Sequence, residues 1–159
     1  MLETGSTAPA LELENTEGKP VHLTDFQGTE NVLLYFLRST TCPVCNRHVK
    51  DLAGRADELS AAGVRVLLVV PEGRTEAGAW RAKRKPPFPV VTGRRGTPHE
   101  AVGLPKKVFG TLQQSGSLLI DRSGIVRHAH AATMPTNGYD RKGIEQAIAG
   151  LARNETGTR

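Results

Sequence analysis

Two residues carry the most legible chemistry in this chain: Cys42 and Cys45, its only cysteines. An ionised thiol is a nucleophile, a pair of thiols closes into a disulfide, and thiolates ligate metals. A structural disulfide framework needs more cysteines at longer spacing, so a pair three apart points elsewhere. On a helix, residues i and i+3 share a face one turn apart. Pro43 suits the first helical position, where no N–H is needed. Cys42 then stands at the helix N-terminus, where unpaired N–H groups and the positive end of the helix dipole favour a thiolate. Arg38, Arg47 and His48 lie close in sequence and add positive charge. The expected division of labour is that Cys42, the more exposed thiol, attacks. Cys45, one turn deeper, resolves the mixed disulfide or sulfenic acid that forms. Three other readings stand beside this one: zinc on Cys42, Cys45 and His48 with His128 and His130; two inert buried thiols; and a redox sensor without turnover.

The pair needs a strand to end before it and a helix to begin at it. Asn31–Leu37 is a continuous apolar run, the pattern of a strand covered on both faces. A polar loop, Arg38-Ser39-Thr40-Thr41, follows. Apolar residues then recur at Val44, Val49, Leu52, Ala53, Ala56 and Leu59, near helical spacing, until Gly63 stops them. Val64–Val70 reads as a second buried strand, so residues 31–70 form a βαβ unit. A C-x-x-C at that strand-to-helix junction is a strong redox signature.

Upstream, Leu11–Leu13 and Val21–Leu23 flank the turn residues Asn15–Pro20 and predict a hairpin. Downstream, the pattern predicts a helix over Glu72–Lys85 ended by Pro86-Pro87, and a strand over Phe88–Thr92. It also predicts a short helix over Thr97–Gly103 with Pro98 first. Ser117–Asp121 and Ile125–Ala129 predict a second hairpin, and Arg141–Ala152 a final amphipathic helix. The expected fold class is α/β: one domain over residues 1–152, a central mixed sheet flanked by helices on both faces, an N-terminal β-hairpin, and a frayed tail over 153–159.

Composition excludes several classes. With 38% hydrophobic and 23% charged residues in 159, the chain is neither disordered nor membrane-embedded. No apolar run approaches the ~18 residues of a membrane span. Met1–Gly5 has no basic or apolar leader character, so the expectation is a cytoplasmic protein without a membrane partner. The net charge of +5 gathers at Arg81–Lys85, Arg94-Arg95 and Lys106-Lys107. No interleaved aromatics and no nucleic-acid motif accompany these clusters, so they read as solvated faces and no nucleic acid is expected. Trp80 reads as a packing residue, His48 as an exposed helix residue and Asp140 as a helix cap.

Four segments, in this order and spacing, resemble a known family: Gly5–Leu13 with its Ala8-Pro9; Gly18–Gly28, reading Gly-Lys-Pro-Val-His-Leu-Thr-Asp-Phe-Gln-Gly; Leu33–Cys45; and Leu119–Arg127, with Ile120-Asp121 before Gly124. Over about residues 5–150 the chain resembles the peroxiredoxin branch (alkyl hydroperoxide reductase/thiol-specific antioxidant, AhpC/TSA) of the thioredoxin superfamily. More narrowly, it is similar to peroxiredoxin-like proteins with a Cys-Pro-x-Cys site. The resemblance implies a thioredoxin-like fold. It places Cys42 on the peroxidatic cysteine and Cys45 on the second cysteine of thioredoxin-type sites, with Arg38 on the arginine that precedes the loop. Three positions depart from the pattern. Tyr35 stands where typical peroxiredoxins have Pro, and Ser39 where they have the Thr that holds the peroxide. Ser115 falls where peroxiredoxins place an arginine and thioredoxins a cis-Pro.

The implied function is therefore a thiol peroxidase, with Cys42 reducing peroxide and Cys45 resolving. Arg38, Ser39, Thr41, Pro43, Gln114 and Ser115 are candidates to line or activate the site. A thiol–disulfide oxidoreductase acting on protein or small-molecule disulfides, or a non-catalytic sensing module, remain alternatives. The resemblance implies thioredoxin or a low-molecular-weight thiol as reductant, no metal or organic cofactor, and a homodimer as an assembly state.

Overall fold

The computed structural model describes residues 2–94, 96–104, 106–107, 112–132 and 139–157, with the side chains of 106, 107, 112, 132 and 152–157 not described. Arg95 and the side chains of Lys106 and Lys107, part of the expected basic clusters, thus lie outside the described residues, as do Asn137 and Gly138.

The apolar run after residue 30 forms β3 (Asn31–Phe36), and all six residues are buried. A strand apolar on both faces demands neighbours on both edges and layers above and below. β3 receives β4 (Val64–Val69) in parallel on one edge and β8 (Ser115–Ile120) antiparallel on the other. The full sheet has the order β2-β1-β5-β4-β3-β8-β9, where β1 is Leu13–Asn15, β2 Pro20–Val21, β5 Val90–Gly93 and β9 Val126–Ala132. The expected N-terminal hairpin is there, and it extends the sheet because β1 pairs antiparallel with β5. A second ladder, β6 (Lys106–Lys107) with β7 (Leu112–Gln113), was not expected from the sequence. Ser115, read as preceding its strand, is the first residue of β8.

Alternation along β3 sorts two cores. Leu33, Tyr35 and Leu37 face α1 (Pro43–Gly54), α2 (Ala56–Ala61), α3 (Arg74–Arg84) and α5 (Arg141–Gly157), meeting Val49, Leu52, Leu59, Ala77, Trp80, Ile144 and Leu151. Val32, Leu34 and Phe36 face Leu11, Leu13, Val102 and Leu104. That second face is covered by the N-terminal segment, a 3-10 helix over Leu23–Phe26 and α4 (Pro98–Ala101). Among the described residues the long helices thus lie on one face, and the other carries short ones. Burial of each large aliphatic side chain in these layers stabilises by about 1.5–3 kcal/mol.

Two boundaries differ from expectation. The helix read as continuous from Cys42 breaks at Arg55, a buried residue whose guanidinium contacts Glu145 at 2.9 Å and Glu58 at 3.6 Å. The last helix runs past Ala152 to Gly157, so the tail expected to fray begins as helix. Asp140 caps that helix as read, its Oδ1 accepting the Gly143 N–H at 3.0 Å.

Candidate active site

The site sits where β3 ends. Leu37 still donates its N–H to Val69 at 2.9 Å, and its carbonyl accepts from Nε2 of His99 at 2.7 Å. His99 is fully buried, its Nδ1 has no partner among the described residues, and burial pushes the imidazole down to about 4. The chain then turns through 38–41. Cys42 takes an extended backbone (φ −71°, ψ 112°) as the N-cap of α1, with Pro43 first in the helix. Its Sγ accepts the Cys45 N–H at 3.3 Å. A cysteine sulfur therefore does what Ser or Asp does at other helix starts: it satisfies an orphan N–H and lies in the positive field of the helix end.

The turn before the thiol is fastened from three directions. Asn46, one turn into α1, donates Nδ2 hydrogens to the carbonyls of Thr40 (3.1 Å) and Cys42 (2.8 Å). Its Oδ1 accepts Trp80 Nε1–H at 2.8 Å. From the end of β4, Glu72 Oε2 accepts both the N–H and the hydroxyl of Thr40, at 2.8 and 2.9 Å. Asn46 and Glu72 escaped the sequence reading. The usable signals were the position of Asn46, four residues after Cys42, and of Glu72, just past the second buried strand. Trp80 packs as expected, at 5% exposure, and also holds Asn46.

Both thiols are free. Cys42 is only marginally the more accessible, at 6% against 0% for Cys45, so the expected contrast in exposure is small. Burial pushes the Cys45 thiol up to about 12, reinforced by Cys42 and opposed by the Arg38 backbone N–H and the Tyr35 hydroxyl. Arg38 thus meets the pair through its main chain. Ser39 and Thr41 pair their hydroxyls at 3.2 Å on the outer side of the loop.

Ser115 and Gln114 lie at the same end of the sheet, since Gly116 pairs with Phe36 across the β8–β3 ladder. Ser115 is fully buried and its Oγ has no partner among the described residues. Gln114 is half-buried between β7 and β8, and no hydrogen bond connects Ser115 to the thiols. The structure therefore brings Arg38, Ser39, Thr41 and Pro43 around the cysteine pair, and leaves Ser115 at the neighbouring strand end.

His48, read as exposed, is half-buried. The hydroxyl of Tyr35, from β3, hydrogen-bonds with its Nδ1 at 2.8 Å. The rings of Tyr35, His48 and Tyr139 pack edge-on or tilted at centroid distances of 5.0–6.0 Å. Tyr139 in turn donates to Asp51 at 2.6 Å. Among the described residues no group of three or more His, Cys, Asp or Glu side chains gathers as a metal site, which leaves the zinc alternative without a cluster. His128 and His130 stack on β9, 6.5 Å apart, with Ser117 near His128 at 3.5 Å. Among the described residues no helix is long and apolar enough to cross a membrane.

Comparison with known proteins agrees with this architecture. Residues 4–129 match the AhpC/TSA family. Peroxiredoxin Bcp of Escherichia coli K12 is 30% identical over 144 residues, covering 87% of this chain and 92% of that protein. The chloroplastic peroxiredoxin Q of Sedum lineare is 28% identical over 123 residues, covering 77% of this chain; the chain spans 66% of that protein's length. Among solved structures, peroxidoxin BcpB from Mycobacterium tuberculosis superposes with a TM-score of 0.79 at 18% identity, covering 96% of this chain and 98% of that one. Peroxiredoxin Q from Xanthomonas campestris gives 0.69 at 19% identity, covering 94% and 92%. At that identity the structural likeness shows a shared thioredoxin-like fold.

Proposed function

This chain belongs to the AhpC/TSA family, and from that premise we propose that it is a thiol-dependent peroxidase whose reacting sulfur is Cys42. One observation carries the reading: Cys42 Sγ caps α1, takes the Cys45 N–H at 3.3 Å, and has a second free thiol one turn behind it. The Cys42 thiolate attacks one oxygen of a peroxide. The O–O bond breaks, the departing oxygen leaves protonated as alcohol or water, and Cys42 becomes a sulfenic acid. Cys45 then attacks that sulfur; an S–S bond forms, the S–O bond breaks, and water leaves. Two electrons from thioredoxin or a low-molecular-weight thiol reopen the Cys42–Cys45 disulfide. Arg38, Ser39, Thr41 and Pro43 shape the mouth at which the peroxide arrives, and Gln114 and Ser115 lie beside it. A cytoplasmic setting fits a chain whose only two cysteines belong to the site, leaving none for a structural disulfide.

Mass spectrometry of Cys45→Ser after one equivalent of peroxide and a sulfenic-acid trap tests the assignment. The reading expects the adduct on Cys42; an unmodified Cys42 would remove it. Disulfide exchange is the second reading: two free thiols one helical turn apart at a helix start can also pass electrons to a disulfide, and Ser115, in place of both the peroxiredoxin arginine and the thioredoxin cis-Pro, favours neither reading. Rapid reduction of a protein disulfide with no reaction toward peroxide would select it.

A further inference from the structure

Cys45 poses a problem for any mechanism that uses it as a nucleophile. It is wholly buried, and burial holds its proton on well above neutral pH. A thiol in that position attacks only if something takes its proton. The structure offers one route, through Tyr35 and His48. Tyr35 and Cys45 share one buried cluster, where the Tyr35 hydroxyl works against the upward push of burial on the Cys45 thiol, and that hydroxyl pairs with His48 Nδ1 at 2.8 Å. Tyr35 is itself fully buried, while His48 reaches partial exposure on the outer flank of α1. A tyrosine at this point is also a departure from the peroxiredoxin pattern, which has proline there.

We infer that Tyr35 and His48 form a proton relay that activates Cys45: the thiol proton passes to the Tyr35 oxygen as the Tyr35 proton passes to His48 Nδ1. The inference rests on the proposed reading of Cys45 as the resolving nucleophile. In the step it serves, the electron pair of Cys45 Sγ forms the S–S bond, and the leaving group on Cys42 departs with the S–O electrons and a proton from water. The Cys45 proton ends on His48 and is lost to solvent. In this relay Tyr35 takes the proton of the reacting sulfur, and His48 acts through Tyr35.

The groups facing His48 suit the task. Tyr35 reaches it from β3 and Tyr139 from the segment before α5; Arg47 and Asp51 flank it on α1. Asp51 is engaged by Tyr139 at 2.6 Å and by Arg141 at 3.3 Å. Burial, with Arg47, holds the imidazole below its ordinary 6.5, against Asp51. At neutral pH it is therefore uncharged, and the tautomer with its proton on Nε2 accepts at Nδ1. In acid it is protonated, and the relay closes.

A mixed-disulfide experiment tests this without peroxide, so its failure is separable from failure of the peroxidase reading. Reduced protein receives one equivalent of 5,5′-dithiobis(2-nitrobenzoate). The first thionitrobenzoate released marks derivatised Cys42; the second marks attack by Cys45. The relay predicts that the second release slows in acid with a midpoint below 6.5. Tyr35→Phe and His48→Gln should slow it at neutral pH on the order of tenfold or more and flatten its pH profile. Unchanged second release in both variants would overturn the relay. So would slowing with the wild-type inflection intact, which is the mark of packing alone, or no second release from the wild type.

Discussion

At the scale of single residues, a cysteine sulfur occupies a helix cap. The pair itself was legible because capping is local: Pro43 and a three-residue spacing suffice to place Cys42 outside and Cys45 inside the first turn. Most residues that hold the pair were not legible, because their contacts join distant parts of the chain. Trp80 meets Asn46 across 34 positions, Thr40 meets Glu72 across 32, and Tyr35 meets His48 across 13. Hydrophobic periodicity tells which face of an element is buried but not which polar atoms meet there. Trp80→Phe removes the one donor to Asn46 Oδ1 among the described residues and leaves that oxygen partly buried. It should lower stability by about 1–2 kcal/mol in urea denaturation followed by circular dichroism, and slow oxidation of Cys42 several-fold. An unchanged denaturation midpoint and an unchanged oxidation rate would show that Asn46 holds the turn unaided.

At the scale of elements, the strands and helices around the site were legible because apolar runs and helical spacing are strong signals. β3, β4, α1 and α3 fall within a few residues of their expected positions. The break at Arg55 was hidden, since Ala53, Ala56 and Leu59 keep helical spacing across it while the guanidinium is drawn to Glu145 on α5. The short β6–β7 ladder offered no apolar alternation to read. A tight spot lies in β8, where a Cβ on Gly116 would meet the His130 carbonyl oxygen and the Ala131 Cα of β9. Gly116→Ala should therefore push the two strands apart and cost about 1–3 kcal/mol, read as a lower unfolding midpoint. A midpoint equal to the wild type would mean that β9 yields freely.

At the scale of the whole molecule, pH reports on the buried imidazoles. His99 is uncharged in the fold down to about 4, whereas in the unfolded chain it protonates near 6.5. Stability from keeping it neutral is fully present above pH 6.5 and is lost as pH falls toward 4, by about 3 kcal/mol in all. His48 and His128, also lowered by burial, act in the same direction. Denaturant titrations across this range should show stability falling with acid, and a flatter profile in His99→Gln; parallel profiles would contradict the linkage. The central claim is that the fold presents Cys42 as a peroxide-reactive sulfur. Stopped-flow oxidation of the reduced protein by hydrogen peroxide tests it most directly, read through Trp80, the only tryptophan, whose indole is bonded to the residue that holds Cys42. Fast oxidation that survives Cys45→Ser and vanishes in Cys42→Ser is expected. Oxidation no faster than that of a free thiol, or unaffected by Cys42→Ser, would contradict it.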